Sequence, residues 1–393
     1  MKKLQRYVLF ELLQVFLLTL AGLTALIFVA LVGREAVQKG LGLGPLLRMT
    51  PYLLPQAMQF AVPGTMLLAT TSVYGRLSAA NEVIAAKALG ISPWRLAQPT
   101  LVLALLTSFG AVALNDLAVS WGRLGVQRVF VESLEQVIYR QLALHRSYAE
   151  GGVQINVKKV DGRRLLMPTV TVQSSDGGEP WTISSASAEL RSSPDRRKIV
   201  VRFDGIHVEG DVSIANKEAV EREIDLAEVL GAAEGSRSPS NYALGEIDRE
   251  LREVARQQAE VRHEQATERT LAMTTGDFDR LGPDAWAPLE RRLRAHERHS
   301  RRLALEPYRR WANGFSCLAF VTIGVPMAIW RQKGEFLASF FLCFAPILLA
   351  YYPLLMVSVD AAKAGELPPL VVWVGNAVLA AWGVWMMRRV VRN

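Results

Sequence analysis

Long apolar runs alternate with charged stretches along this chain, and the alternation predicts its architecture. Runs of about 20 residues, enough to cross about 30 Å of hydrocarbon as a helix, lie near 8–32, 53–74, 96–119, 311–330, 336–358 and 370–387. Residues 120–309, between the third run and the fourth, are far more polar. The pattern predicts a polytopic α-helical membrane protein with six transmembrane helices, three on each side of a soluble insert.

The insert itself changes texture along its length. A linking helix is predicted over 121–144, and short segments rich in Val, Ile and Thr follow, separated by turn residues. They occupy 152–160, 163–173, 181–190, 197–210 and 211–215. This spacing predicts an antiparallel β domain, either a sandwich or jelly-roll-like, and Asp161 with Gly162 predicts a hairpin turn.

From about Leu244 onward the polar region has a helical period. Apolar residues recur at helical spacing on a charged background in two arms, Ile247, Leu251, Val254 and Val261 in the first and Leu289, Leu293 and Leu303 in the second. They predict a helical hairpin before the fourth span. Its charges either form a solvated face or, just before the membrane, meet anionic headgroups through six arginines: Arg291, Arg292, Arg294, Arg298, Arg301 and Arg302.

These patterns divide the chain into four parts. Residues 1–119 hold transmembrane helices 1–3, 120–243 the linking helix and β domain, 244–309 the charged helical hairpin and 310–393 transmembrane helices 4–6. The first apolar run is longer than the 7–15 residues of a signal peptide's apolar region, so we interpret it as a retained span. Glu11 near its start is interpreted as an interfacial anchor, and 33–52 as an external loop.

Basic residues in the short loops indicate the orientation. If the N-terminus is cytosolic, that side carries eleven Lys and Arg residues and the other side four. This asymmetry places both termini in the cytosol and residues 120–309 outside it. The net charge of +8 then indicates anionic lipid headgroups as partners, and it requires no nucleic acid.

The cytosolic loop over 74–95 is the most informative short stretch. Ser78 is predicted to cap a helix of about eight to eleven residues, with Glu82 in its first turns and Gly90 ending it before Pro93. Such a helix is too short to be stable alone in water. It is therefore expected to pack on its own spans or on a partner.

Sequence motifs for catalysis are missing. The chain contains no phosphate-binding P-loop, no nucleophile elbow and no histidine spacing typical of a zinc site. We therefore expect a non-catalytic protein that binds neither a metal ion nor a cofactor of its own.

Three stretches, 55–92, 309–329 and 365–385, together with the three-and-three division of the spans, resemble the lipopolysaccharide-export permeases LptF and LptG. The resemblance implies a permease subunit of an ABC-type exporter that extracts lipopolysaccharide from the inner membrane and passes it to a periplasmic bridge protein of the LptC/LptA kind. It also implies a second LptF/LptG-type subunit and a separate LptB-like ATPase dimer, which would bind the ATP.

Site residues also follow from the resemblance. The coupling helix of the family matches 78–90, with Ser78, Glu82, Ala86 and Gly90, and Glu82 matches the acidic residue that contacts the ATPase. Basic residues beyond the first span of the family contact lipid phosphates, which implies the same for Arg34 and Lys39.

Two other functions remain open at this point. A mechanotransmitting ABC permease also carries a large external domain, but its spans are typically divided one and three. An envelope scaffold protein would use the β domain only to recruit partners, and the cytosolic helix would then contact no ATPase.

Overall fold

The computed structural model describes residues 2–39, 42–150, 153–172, 181–193, 198–209, 214–216, 220–225, 238–276, 283–330 and 336–392. The chain divides into two compact units, each with its own core. The first comprises Met1–Phe28, Leu54–Ser120 and Pro239–Asn393, and the second Val29–Leu53 and Trp121–Ser238.

Helices account for most of the described residues. They are α1 Lys2–Lys39, α2 Leu43–Ala79, α3 Glu82–Ala88, α4 Pro93–Leu117, α5 Leu124–His145, α6 Leu244–Thr275, α7 Pro283–Trp330, α8 Phe336–Pro346, α9 Tyr352–Ala364 and α10 Val374–Arg392. π-helical turns occupy Ala118–Arg123 and Ile347–Tyr351, and short 3₁₀ turns occupy Pro239–Asn241 and Pro369–Trp373.

Within the described residues, five helical stretches are long and apolar enough to cross a membrane: Lys3–Gln38, Pro93–Phe130, Trp286–Trp330, Phe340–Ala364 and Pro369–Arg392. The chain is therefore a polytopic, mostly helical membrane protein with a small antiparallel sheet. The remaining predicted span lies in α2, a 37-residue helix whose glutamines and threonines lower its hydropathy.

The external loop predicted over 33–52 is wrong for most of its length. Helix α1 continues to Lys39, and α2 begins at Leu43. Ala, Glu, Val and Gln after Gly33 are all compatible with a helix. The helices extend past the ends of the apolar runs because polarity alone does not end a helix.

Helix α7 lies at the centre of the first unit. In the apolar 18-residue stretch of α7, 78% is buried, whereas in the corresponding stretch of α1 only 11% is buried. Small residues bring its neighbours close, since an added Cβ at Gly383 of α10 would lie 2.3 Å from the Thr322 carbonyl oxygen. At Gly314 of α7 it would lie 2.3 Å from the Val112 side chain of α4. Glycine at a helix crossing permits this backbone approach.

The second unit contains one antiparallel sheet. Its described strands are β1 Ser147–Glu150, β2 Val153–Asn156, β3 Lys159–Asp161, β4 Arg164–Leu166, β5 Thr169–Val172, β6 Trp181–Ser193, β7 Lys198–Glu209, β8 Ile214–Asn216 and β9 Val220–Asp225. The order is β1-β2-β5-β6-β4-β3, and β7 pairs with β6, β8 and β9. Helix α5 packs on the sheet, where the Tyr139 hydroxyl donates to the Arg163 carbonyl at 2.6 Å and accepts from the Leu190 amide at 2.9 Å.

Within the described residues every predicted strand segment contains a strand, and segments 152–160 and 163–173 each contain two. Residues 152, 173, 197 and 210–213 of these segments lie outside the described ranges. The hairpin near Asp161 is confirmed. Asp161 pairs with Arg164 across a two-residue turn, and Gly162 occupies its first position with a φ of +59°. Glycine is the residue that adopts this conformation without strain.

The predicted helical hairpin is formed by α6 and the first part of α7. Tyr242, Ile247, Val254 and Leu303 form one buried cluster, and Val261, Trp286 and Leu289 form another. The Arg269 guanidinium lies 5.0 Å from the centroid of the Trp286 ring. The second arm of the hairpin and the fourth predicted span are one helix, since α7 continues without interruption to Trp330.

A buried arginine joins the hairpin to the bundle. Arg310 of α7 is only 2% exposed and donates to Asp116 Oδ1 of α4 at 3.0 Å and to the Tyr242 carbonyl at 2.6 Å. Glu306 Oε2 lies 3.8 Å from Arg310 Nε. The same Asp116 oxygen accepts the Leu244 amide at 2.8 Å, so one carboxylate holds both Arg310 and the first residue of α6.

We predict that Asp116→Ala lowers the free energy of unfolding by about 2 kcal/mol, because a buried guanidinium loses its partner. The value lies below that for a fully buried pair, since a third of the Asp116 side chain is exposed. Chemical unfolding of the purified protein in detergent measures it. Arg310→Met added to Asp116→Ala should restore part of the loss, because the buried guanidinium is then gone and Glu306 keeps its pair with Arg309 at 2.7 Å.

The matched control is Asp360→Ala, which removes an exposed carboxylate paired with Lys363 at 3.2 Å. Exposed pairs contribute little, so stability should hardly change. Equal losses in Asp116→Ala and Asp360→Ala would contradict a structural role for the buried pair.

Candidate functional site

The short helix α3 contains seven residues, Glu82–Ala88. Asn81 precedes it with a left-handed φ of +58°, a conformation that Asn tolerates better than most residues. After the helix, Gly90 has a φ of +78°, its amide donates to the Lys87 carbonyl, and the Ile91 amide donates to the Ala86 carbonyl. These two bonds form a Schellman motif, so the predicted end at Gly90 is confirmed.

The predicted role of Ser78 as the helix cap is wrong. Ser78 lies in the last turn of α2, is 2% exposed, and donates from Oγ to the Ile329 carbonyl of α7 at 3.0 Å. Its hydroxyl therefore joins the end of α2 to the end of α7. The preference of serine for helix caps reflects hydrogen bonds to nearby residues, whereas here Ser78 bonds a carbonyl that is distant in the chain.

One side of α3 is fixed to the bundle and the other is exposed. Val83 and Ala86 are buried, and Lys87 Nζ donates to the Val390 carbonyl in the last turn of α10 at 2.9 Å. Ile84 is 44% exposed and Leu89 79%. Glu82 is also exposed, so this side of α3 is accessible to a binding partner.

An open cavity of about 770 Å³ lies beside α3, between this helix, α7 and α10. The residues that line it include three tryptophans and two basic residues: Trp330, Trp382, Trp385, Lys87 and Arg389. Because α3 forms one wall, a displacement of α3 changes the shape of the cavity.

Two further contacts fix the neighbouring helix ends. The Tyr74 hydroxyl of α2 bonds the Leu96 carbonyl at 2.9 Å and the Thr100 hydroxyl at 2.7 Å, both in α4. Gln5 Nε2 of α1 donates to the Arg95 carbonyl at 3.0 Å. The ends of α1, α2 and α4 therefore form one connected platform around α3.

A family model described as lipopolysaccharide export system permease LptF/LptG matches residues 6–389, nearly the whole chain. The chain belongs to the LptF/LptG family. A comparison with curated proteins finds no match. Permeases of this family are transporter subunits and not enzymes, and the five apolar helices agree with a multi-pass protein of the inner membrane.

An ion pair that the sequence did not suggest joins two helices of this LptF/LptG permease. Glu11 of α1 pairs with Arg76 of α2, and Arg76 Nη2 also donates to the Tyr7 hydroxyl at 3.1 Å. The bonds to Tyr7 and Glu11 raise the pKa of Arg76 above its already high usual value. Glu11 is therefore more than an interfacial anchor. The two residues lie 65 positions apart, and only the antiparallel arrangement of α1 and α2 brings them together.

The residues implied for lipid phosphates lie in the part of α1 that belongs to the second unit. Arg34 is exposed and donates from Nε to Gln38 Oε1 at 3.2 Å. The side chain of Lys39 lies outside the described residues. No group of three or more His, Cys, Asp or Glu side chains within the described ranges is placed to hold a metal ion.

We predict that Lys87→Met loosens α3, because methionine retains an apolar stem but cannot donate to the Val390 carbonyl. A hydrogen bond from a charged donor at this half-buried position is worth about 1 kcal/mol, or about fivefold. Amide hydrogen exchange of residues 83–89 should accelerate by about that factor. Lys87→Arg keeps a donor and should exchange nearly as slowly as the native protein; if Met has no effect, the bond does not hold α3 in place.

Proposed function

We propose that this permease is the membrane subunit of an ABC-type exporter that extracts lipopolysaccharide from the inner membrane and passes it to a periplasmic bridge protein. A separate LptB-like ATPase dimer supplies the energy and binds the ATP. The observation that carries the proposal is α3, a helix fixed on one side to the bundle and exposed on the other. Membership of the LptF/LptG family supports it.

In this proposal α3 is the coupling helix. Glu82, at its exposed start, contacts the ATPase, while Ala86 and Gly90 shape the buried side and the end of the helix. Ser78 joins α2 to α7 through the Ile329 carbonyl, and Lys87 joins α3 to α10 through the Val390 carbonyl. Closure of the ATPase then displaces these helices together, because packed helices move as rigid bodies.

In this proposal α2 also crosses the membrane, which brings the number of spans to six. Thr65, Thr70 and Thr71 of α2 are fully buried, and each hydroxyl donates to a carbonyl of the same helix. Polar side chains satisfied in this way are compatible with a helix enclosed by other spans. Low hydropathy in α2 then reflects contact with protein and not with lipid.

Orientation and partners complete the proposal. Both termini lie in the cytosol, the β domain and the helical hairpin lie in the periplasm, and the sheet forms a jelly roll that meets the bridge protein. A second LptF/LptG-type subunit faces this one, and α1, whose apolar surface is mostly exposed, lies at the periphery where lipid or that subunit can reach it. Arg34, with Lys39, contacts phosphates of the lipid.

We expect the tagged permease to co-purify with an ATPase of the P-loop class, and Glu82→Arg to reduce its recovery about tenfold or more. The reason is that a like charge placed in an interface costs several kcal/mol. Quantitative mass spectrometry of the purified complex measures the recovery. Glu253→Arg makes the same charge reversal on α6, where the side chain is half exposed, and should leave the ATPase bound. Full recovery with Glu82→Arg would remove Glu82 from the interface.

Two cysteine variants can test the membrane topology, because Ala85 of α3 and Ala266 of α6 are both exposed. The native thiols Cys317 and Cys343 are buried, so an impermeant maleimide should give little background. In spheroplasts Ala266→Cys should be labelled, and Ala85→Cys should be labelled only after the membrane is opened. The reverse result would overturn the proposed orientation.

A further inference from the structure

The two arms of the helical hairpin carry different charges on their surfaces. Exposed charged residues of α6 are of both signs, six acidic and five basic: Glu246, Asp248, Arg249, Arg252, Glu253, Arg256, Glu260, Arg262, Glu264, Glu268 and Arg269. In α7 between Trp286 and Arg309, the six most exposed charged residues are all arginines: Arg291, Arg292, Arg294, Arg298, Arg301 and Arg302. Glu290 and Glu297, whose side chains are 45% and 40% exposed, are each paired with an arginine. A helix that is merely solvated usually mixes both signs, as α6 does.

Five of these arginines lie on one face of α7. Arg291, Arg294, Arg298 and Arg302 are separated by three, four and four residues, which places them in a row along a helix, and Arg301 flanks them. Leu289 and Leu303, on the opposite side, are buried in the clusters shared with α6. We name Arg291, Arg294, Arg298, Arg301 and Arg302 the arginine stripe; it faces away from α6.

Hydrogen bonds hold several of these side chains in place but use only part of their capacity. Arg291 Nε and Arg298 Nε each donate to a backbone carbonyl four residues earlier, at 3.1 and 3.2 Å. Arg301 Nη1 donates to the Ala364 carbonyl at the end of α9, at 3.0 Å. A guanidinium has five N–H donors, so each of these groups retains donors for a ligand.

Negative charge along the stripe is sparse. Glu290 pairs with Arg294 at 2.7 Å, whereas Glu297 faces α6 and pairs with Arg262 at 3.6 Å. Arg292, off the stripe, pairs with Glu264 of α6 at 3.4 Å. Of the two acidic side chains between Trp286 and Arg302, one therefore pairs with a stripe arginine and the other with α6. Five arginines with a single paired carboxylate leave the stripe strongly positive.

Only the lower end of the stripe lies near the phospholipid surface, where Arg301 reaches the last residue of α9. Arg302 precedes Trp311, the start of the apolar run, by nine residues, or about 13 Å of helix, and Arg291 precedes it by about 30 Å. Headgroups extend only about 5–8 Å beyond each side of the hydrocarbon, and a typical tilt of about 20° changes these heights little. A ligand that reaches the whole stripe must rise from the membrane along α7.

We propose that the arginine stripe binds the anionic saccharide portion of the exported lipopolysaccharide as it leaves the membrane. Guanidinium groups bind phosphate and carboxylate oxygens in a bidentate manner. Groups of this kind, spaced along a saccharide, match a row of arginines along a helix. The inference rests on the proposed function, because it takes its ligand from it.

The test uses a photocrosslinking amino acid at Ala295, which is exposed and adjoins Arg294 on the stripe, and at Ala255, which is also exposed, on α6. The full permease is assembled with its ATPase and second subunit in proteoliposomes that contain lipopolysaccharide. With ATP, Ala295 should crosslink to lipopolysaccharide, and Ala255 about tenfold less. A triple change of Arg291, Arg294 and Arg298 to Gln should weaken the crosslink about tenfold, since three cationic contacts are lost.

Two matched variants separate charge from fold. Changing the same three residues to Lys keeps the charge and should retain most of the crosslink, whereas changing Arg249, Arg252 and Arg256 of α6 to Gln should leave it intact. An unaltered crosslink in the stripe-Gln variant, or equal crosslinks at Ala295 and Ala255, would overturn the proposal. So would transfer of the Ala295 crosslink to phospholipid, or its retention with a glycolipid that lacks anionic saccharide groups.

ATP-dependent release of lipopolysaccharide from the same proteoliposomes separates the two proposals. Absence of release by the native complex would refute the proposed function. Release by the native complex without a crosslink at Ala295 would refute only the arginine stripe.

Discussion

The burial of Arg310 is the constraint on which the arrangement of the first unit depends. A guanidinium that is 2% exposed is several kcal/mol too costly to bury unless fixed acceptors compensate it. Asp116 of α4 and the Tyr242 carbonyl supply those acceptors. Because Asp116 also accepts the Leu244 amide, the same charge fixes the end of α4, the rotation of α7 and the start of α6.

Helix α7 connects the helical hairpin to the helix ends around α3. It runs for 48 residues without interruption, a length of about 72 Å. One end lies in the hairpin, and at the other the Ile329 carbonyl accepts the Ser78 hydroxyl beside α3. A continuous helix packed against α4 and α10 transmits displacement along its axis more readily than a chain of loops, so one element can couple events at both ends.

Periodic patterns could be predicted from the sequence, whereas long-range contacts could not. The apolar runs, the strands of the insert, the hairpin near Asp161 and the end of α3 at Gly90 follow from local preferences, which neighbouring residues satisfy. Ser78 is of a residue type that often caps helices, yet the carbonyl that it bonds lies 251 positions away. The pairs Arg310 with Asp116 and Arg76 with Glu11 likewise depend on the packing of helices that are distant in the chain.

The contrast between Arg310 and the arginine stripe shows how environment assigns opposite roles to one residue type on one helix. Arg310 is surrounded by fixed acceptors that hold its position, so it stabilises the fold. Along the stripe, only Glu290 pairs with one of the five arginines, and the arginines, held by only a few of their donors, retain others for a ligand. Backbone contacts such as that of Arg301 with the Ala364 carbonyl limit the entropy that these long side chains lose on binding. A surface organised in this way favours an anionic ligand that moves along the helix axis over one bound tightly at a single point.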